Sequence, residues 1–317
     1  MDKKKMIDYL LDYGIIFVLA ALVAVFSMTS DRFLSANTMF TILRQVSIVG
    51  IMSVGMTFVM LMGGIDLSVG SVGAVVCVVT AYFMVHGISP VPACVMSLAV
   101  AATAGLANGF CVNMFNIPPL IATMGVMMSL RGIAYLVTNG APIYGIDKNF
   151  KYLSQGTFGT IPYPVILMAA IFVIAAFVLK KTRLGRYIYG VGGNEEASRL
   201  SGVKIKKVKY IAYAISSVLA GISGLLLLAR TNSGQPSVGS GYEMDAITAV
   251  VLGGVSISGG KGNIWLVIVG VVIMGTLSTG MVMSNISDYV QQVIKGLVLI
   301  GSIAFAQFSQ KIKEHHI

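Results

Sequence analysis

The residues able to do chemistry in this chain are few, and most stand at breaks in apolar runs. Asp66 follows Gly63-Gly64-Ile65 and precedes Leu67-Ser68-Val69-Gly70-Ser71. A carboxylate there can cap the next helix by accepting a backbone N–H, or line a polar cavity together with Ser68 and Ser71, and the two roles are compatible. A second acidic break, Gly241-Tyr242-Glu243-Met244-Asp245, comes late, with Gly253-Gly254 and Gly259-Gly260 behind it. Arg131 lies among Met127, Met128, Leu130, Ile133 and Tyr135, where a charge facing lipid costs several kcal/mol. It must therefore reach the outer surface near Asn139 or turn inward and pair with Asp66, Glu243 or Asp245. Asn108, Asn113 and Thr123 either wet a pathway or bond a neighbouring helix.

None of this makes a reaction centre. The chain has no GxxxxGK(S/T) and no HExxH, His86, His315 and His316 show no metal-ligand pattern, and no nucleophile stands with a base. Cys77, Cys94 and Cys111 lie in apolar runs without CxxC spacing, so they are expected as small core residues rather than a disulfide or zinc site. No cofactor, metal or enzymatic activity is expected, and any nucleotide hydrolysis must come from another subunit.

The elements that position these residues follow from composition. Of 317 residues 56% are hydrophobic and 11% charged, against about 45–50% and about 25% in soluble domains. A water-soluble globule is excluded. Nine apolar segments have spanning length: Leu10 to Met28, Val46 to Met62, Leu67 to Val85, Val91 to Phe115, Leu120 to Val137, Ile161 to Leu179, Val208 to Ala229, Ile264 to Met283 and Tyr289 to Phe308. A tenth, Ala246 to Ser258, rises only about 20 Å as helix, less than the roughly 30 Å hydrocarbon core, so it is counted as a tilted, re-entrant or extended span. The first segment reaches Asp31 and Arg32 without a small-x-small site and reads as an uncleaved span. The expected fold is an all-α polytopic membrane protein, one transmembrane domain over residues 1–317.

The net charge of +10 sets topology rather than suggesting nucleic acid. Lys3 to Lys5, the nine basic residues from Lys180 to Lys209, Lys261, Lys311 and Lys313 fall on one side if both termini are cytoplasmic, while the other side holds only Arg32, Arg44, Lys148, Lys151 and Arg230. Ten crossings divide into two halves of five, which must face opposite ways, an inverted repeat common in transporters. Ala101, Gly105 and Gly109 put three small residues on one helical face, for close packing within the chain or with a second copy.

The cytoplasmic loop 180–209 contains the parts of a short helix. Asn194 can cap it, Glu195 and Glu196 suit its start, then come Ala197, Ser198, Arg199, Leu200 and Ser201, and Gly202 suits the left-handed position after it. A helix of two turns needs something to pack on. The loop is either a solvated basic segment at the lipid surface or a docking element for a cytoplasmic partner.

Four stretches in order, Gly64 to Ser71, Thr138-Asn139-Gly140, Thr182-Arg183-Leu184-Gly185-Arg186-Tyr187-Ile188-Tyr189 with the Asn194 to Gly202 segment, and Gly241 to Ile247 with Gly259-Gly260-Lys261-Gly262, resemble the membrane permease of ribose-type ATP-binding-cassette importers. The resemblance runs from about Phe33 to the last span. It implies a ten-helix permease of the type II importer kind in a bacterial inner membrane, usually present as two copies, with an ATPase beneath and a sugar-binding protein outside. Members of that family carry ribose, xylose, allose, galactose or furanoses, and some relatives carry an autoinducer. It also implies that the Asn194 to Gly202 segment is the coupling helix that enters a groove of the ATPase. The residues themselves agree that sugar is recognised tightly elsewhere, since the only tryptophan, Trp265, sits at a span end where an interfacial anchor belongs. The rival reading, a stand-alone secondary transporter or channel, calls for numerous central carboxylates, and here the acids are few and sit at breaks or ends.

Overall fold

The computed structural model describes residues 3–29 and 33–315, with side chains described over residues 15–29 and 33–308. Asp31, Arg32 and His316, and the side chains of Lys3, Lys4, Lys5, Lys311, Lys313 and His315, lie outside what is described. Helices make up about three quarters of the described residues: α1 (Lys3–Thr29), α2 (Ala36–Met60), α3 (Val69–Val85), α4 (Pro90–Met114), α5 (Pro119–Thr138), α6 (Tyr152–Gln155), α7 (Tyr163–Lys181), α8 (Arg183–Gly193), α9 (Glu195–Leu200), α10 (Ile205–Thr231), α11 (Tyr242–Leu252), α12 (Ile264–Met283) and α13 (Asp288–His315). A two-stranded hairpin, β1 (Thr157–Phe158) and β2 (Ile161–Pro162), precedes α7. Seven of the helices are long and apolar enough to cross a membrane, and Ile15–Thr29 and Val69–Val85 are shorter apolar helices. The protein is therefore a polytopic all-α membrane protein.

Proline and asparagine punctuate the bundle. Proline occupies the first turn of α4, α5 and α7, where no intrahelical N–H bond is lost. Ser35, Thr182, Asn194 and Asn263 cap α2, α8, α9 and α12 with their side-chain oxygens. Among the described residues every non-glycine with positive φ is an asparagine, Asn116, Asn139, Asn232 and Asn285, and two of these end α5 and α10.

At the centre α2 packs against α10, α12, α7 and α11, and α10 packs against α4 and α3 as well. The small-residue face of α4 meets α10 within the chain: a Cβ on Gly105 would stand 2.5 Å from the Tyr213 carbonyl, and Tyr210 lies against Gly109. The outer helices α5 and α13 leave large apolar side chains uncovered, among them Leu136, Met128, Leu297 and Ile300.

Two expectations change. The helical part of the tenth segment ends at Leu252, and residues 253–263 run as turns, because Gly253, Gly254, Gly259, Gly260 and Gly262 break the helix. Only Cys77 of the three cysteines is buried, while Cys94 and Cys111 sit on half-exposed faces of α4. Residues 149–162 hold α6 and the hairpin, elements too short to leave a periodic signal in the sequence.

Candidate functional site

The first break is a fully buried polar knot. Asp66 has no exposed surface, and its Oδ1 accepts hydrogen bonds from Ser68 N at 3.0 Å, Ser68 Oγ at 2.6 Å and Asn108 Nδ2 at 3.3 Å. Its Oδ2 accepts from Ser216 Oγ on α10 at 2.8 Å. Asn108 Nδ2 also donates to Ser68 Oγ. Thr123 Oγ1 on α5 donates to the Ile65 carbonyl and accepts Leu67 N–H, so both flanks of Asp66 are tied to the same neighbour. Ser216 lies about 16 Å along α10 from its start, which places this carboxylate well inside the bundle. A buried carboxylate is tolerated there because four donors surround it.

The second break enters the bundle as irregular backbone. Residues 232–241 run beside α3, bridging to Ile143 through Gly234, and Gly239 lies against Gly70 so closely that a Cβ on Gly70 would come 2.5 Å from the Gly239 carbonyl. Arg131 is answered by this backbone: Nη1 donates to the Pro236 carbonyl at 2.8 Å and the Val238 carbonyl at 2.9 Å. It forms no ion pair with Asp66, Glu243 or Asp245 and does not reach outward to Asn139; the loop supplies carbonyls at the depth where the guanidinium needs them. Glu243 lies nearby, with Oε1 accepting Gly241 N–H. A cavity of about 320 Å³ between these elements is lined by Ser71, Met127, Met128, Arg131, Ser240 and Glu243.

Asp245 instead pairs with Lys295 of α13, Nζ to Oδ2 at 2.7 Å, the carboxylate being almost wholly buried. Asn113 donates to the Lys206 carbonyl and joins α4 to α10. Unassigned by sequence were Ser216, and Gln45 with Arg230 and Tyr242, which bond one another where α2, α10 and α11 meet. Single polar residues in apolar helices carry no spacing signal, so only the basic charge of Arg230 could have drawn notice.

On the opposite side the glycine runs converge. Gly260 N–H donates to the Leu61 carbonyl at 2.9 Å, and Gly192 packs against both. Gly259 and Gly260 take φ of +85° and +72°, the left-handed region. From this seat α9 projects: Asn194 Oδ1 accepts Ala197 N–H at 2.9 Å, Gly202 has φ +83°, and Val203 N–H closes the helix on the Ser198 carbonyl. Glu195 meets Lys209 of α10 at 2.9 Å and Glu196 meets Arg199 at 2.6 Å, a bond that holds the guanidinium above its ordinary pKa. Of the segment only Ser198 is buried; Leu200 is 79% exposed. Beneath Asp66 a second cavity of about 270 Å³ is lined by Gly64, Asn116, Pro118, Tyr213, Glu195 and Lys209.

Apolar helices that gather their polar groups at two interior breaks, with a basic loop on one face and cavities near both breaks, define a multi-pass membrane permease. The family described as the permease component of branched-chain amino acid transport systems matches residues 38–303, and the chain belongs to it. It is 40% identical to the ribose import permease of Escherichia coli over 93% of each chain, and 41% identical to that of Bacillus subtilis over 89% of this chain and 88% of the relative. The D-allose transport permease of Escherichia coli is 34% identical over 94% of this chain and 92% of its own. No solved structure matches. These relatives are transport subunits, and the chain is a permease rather than an enzyme.

Proposed function

We propose that this permease forms the inner-membrane pathway of an ATP-binding-cassette importer for a monosaccharide, which an external binding protein delivers and a separate ATPase drives. The observation that carries the reading is the identity to ribose and allose permeases over nearly the whole chain. Two of the acids at the breaks support it against an ion-coupled transporter: Asp66 is saturated by four donors and Asp245 is held by Lys295. A carboxylate so engaged is poorly placed to load and release an ion.

Ten crossings in two inverted halves agree with the packing. Exchange α2 with α10, α3 with α11, α4 with α12 and α5 with α13, and several packings recur: α10 on α4 becomes α2 on α12, α3 on α5 becomes α11 on α13, and α3 on α4 becomes α11 on α12, while α4 on α5 has no counterpart of like extent. Each half then has a long central helix, an acidic break and a short helix. The uncovered apolar faces of α5 and α13 suit a second copy of the permease. Loop 180–209 is the coupling loop, with α9 docking on the ATPase.

In proteoliposomes, uptake of D-ribose should require the ATPase and the binding protein together. The purified permease alone should bind ribose at millimolar concentration or weaker, about 4 kcal/mol, since no aromatic lines the cavity beside Arg131 and Tyr213 alone lines the one beneath Asp66, too few rings to sandwich a sugar. Micromolar binding by calorimetry to the chain alone would contradict this division of labour.

Topology gives a separate check. A cysteine at the exposed Lys207 or at Lys313 should react with an impermeant thiol reagent only from the cytoplasmic side, and one at the exposed Lys151 only from outside. Labelling of position 207 from outside would invert the proposed map.

A further inference from the structure

The cavity between α3, α5 and the entering loop carries polar groups that the fold leaves unused. Ser71 Oγ is buried at 1% exposure and has no hydrogen-bond partner within the chain. Glu243 Oε2 is also buried without a donor, although Oε1 of the same carboxylate is bonded. Both residues line the cavity, as does Ser240. Arg131 uses Nη1 for the Pro236 and Val238 carbonyls, and a guanidinium carries five N–H donors. Met127 and Met128 complete the lining with an apolar wall.

Unpaired buried polar atoms are costly, and those carried by residues that line a common cavity are the ones a ligand entering it can satisfy. Here the two residues that carry such atoms, Ser71 and Glu243, line one space at the membrane-embedded break. A hydroxyl that donates and accepts, a carboxylate oxygen that accepts, guanidinium donors and a flexible thioether wall complement a solute bearing several hydroxyls and a C–H face. A volume of about 320 Å³ admits a molecule of monosaccharide size. We infer that this cavity is a hydroxyl-binding station on the permeation path, in which Ser71 Oγ and Glu243 Oε2 bond the passing solute while Arg131 holds the loop that forms the wall. The inference rests on the transport reading above and adds the groups that contact the solute.

The test uses the complete transporter in proteoliposomes with radiolabelled D-ribose and its 2-deoxy analogue. Ser71→Ala should lower ribose uptake per ATP hydrolysed by about tenfold, the worth of one well-formed hydrogen bond, and narrow the preference for ribose over 2-deoxyribose. Ser71→Thr, which keeps the hydroxyl, should recover most of both. Because the Ser71 hydroxyl serves no partner in the fold, the melting temperature of purified Ser71→Ala should stay level or rise. A second measurement needs no transport: with Cys77, Cys94 and Cys111 replaced by alanine, Ser71→Cys in the isolated permease should react with a small neutral thiol reagent. D-ribose at about twice its dissociation constant, a few millimolar for a millimolar-range ligand, should slow that reaction about threefold, and higher concentrations should slow it in proportion, whereas potassium chloride at equal osmolality should not. Wild-type uptake by Ser71→Ala, or labelling that ribose leaves unchanged, overturns the station. If ribose protects Ser71→Cys but the complete wild-type transporter carries no monosaccharide, the transport reading fails and the site stands as a polyol site of another function.

Discussion

Gly192→Ala is expected to remove transport and to reduce the yield of folded permease sharply. A Cβ there would overlap the Leu61 carbonyl oxygen and stand 2.5 Å from Gly260 N, the very donor and acceptor whose 2.9 Å bond joins the end of α2 to the late glycine turn. Backbone lies on both sides, so no flexible side-chain tip can yield. Overpacking costs about 1–3 kcal/mol, and separating a buried donor from its acceptor adds about 1–3 kcal/mol. The neighbouring Gly193 supplies the control, since a Cβ on it meets nothing within 4 Å. Gly193→Ala should express, melt and transport nearly as the wild type does. Purified yield, melting temperature and ribose uptake measured for both variants decide the matter. Equal behaviour of the two would mean that the glycine seat is not what holds loop 180–209 in place.

That seat shows what a linear reading of the chain can reach. Gly63-Gly64, Gly192-Gly193 and Gly259-Gly260 are each visible as turn signals, and hydropathy alone locates the long helices around them. Their meeting is not visible, because it depends on how α2, α8 and the turn after α11 stack in three dimensions. Nor does hydropathy distinguish an apolar run that stays helical from one interrupted by a glycine pair, here Gly253-Gly254, which is why α11 ends before its segment does.

The polar site divides along the same line. Asp66, Ser68, Asn108 and Thr123 stand out as polar groups in apolar surroundings, and all four share one hydrogen-bonded cluster. Ser216 is the missing member, one serine among several in α10, and only the crossing of α10 over the break selects it. Arg131 invites pairing with a carboxylate because side chains are what a sequence displays. Its partners are main-chain carbonyls, and every residue has those; only an irregular segment at membrane depth leaves them free to accept. Lys295 and Asp245 are the converse case, two charges fifty positions apart whose pairing follows from the packing of α11 against α13.

Glu196→Lys combined with Ala197→Asp should detach the ATPase while leaving the membrane bundle intact. α9 is held to its own chain by few contacts: the Asn194 cap, the buried Ser198 and the Glu195–Lys209 pair. The Glu196–Arg199 pair is more than half exposed on both sides, so it adds little by itself. What the helix presents outward is a small patch formed by Ala197 and Leu200, and burying a leucine side chain on a partner is worth about 1.5–3 kcal/mol. The double variant reverses a charge at the helix start and puts an unpaired carboxylate into the proposed contact face. Neither position touches the core, so insertion and the amount of permease in the membrane should remain near normal, while the ATPase is lost during purification and ribose-stimulated hydrolysis falls with uptake. Asn194→Ala, removing a cap worth about 0.5–2 kcal/mol, and Gly202→Val, which forces a branched side chain onto φ +83°, should give weaker versions of the same coupled loss. A double variant that transports normally and still co-purifies with the ATPase would reduce α9 to a basic surface turn and move the docking site elsewhere on the cytoplasmic face.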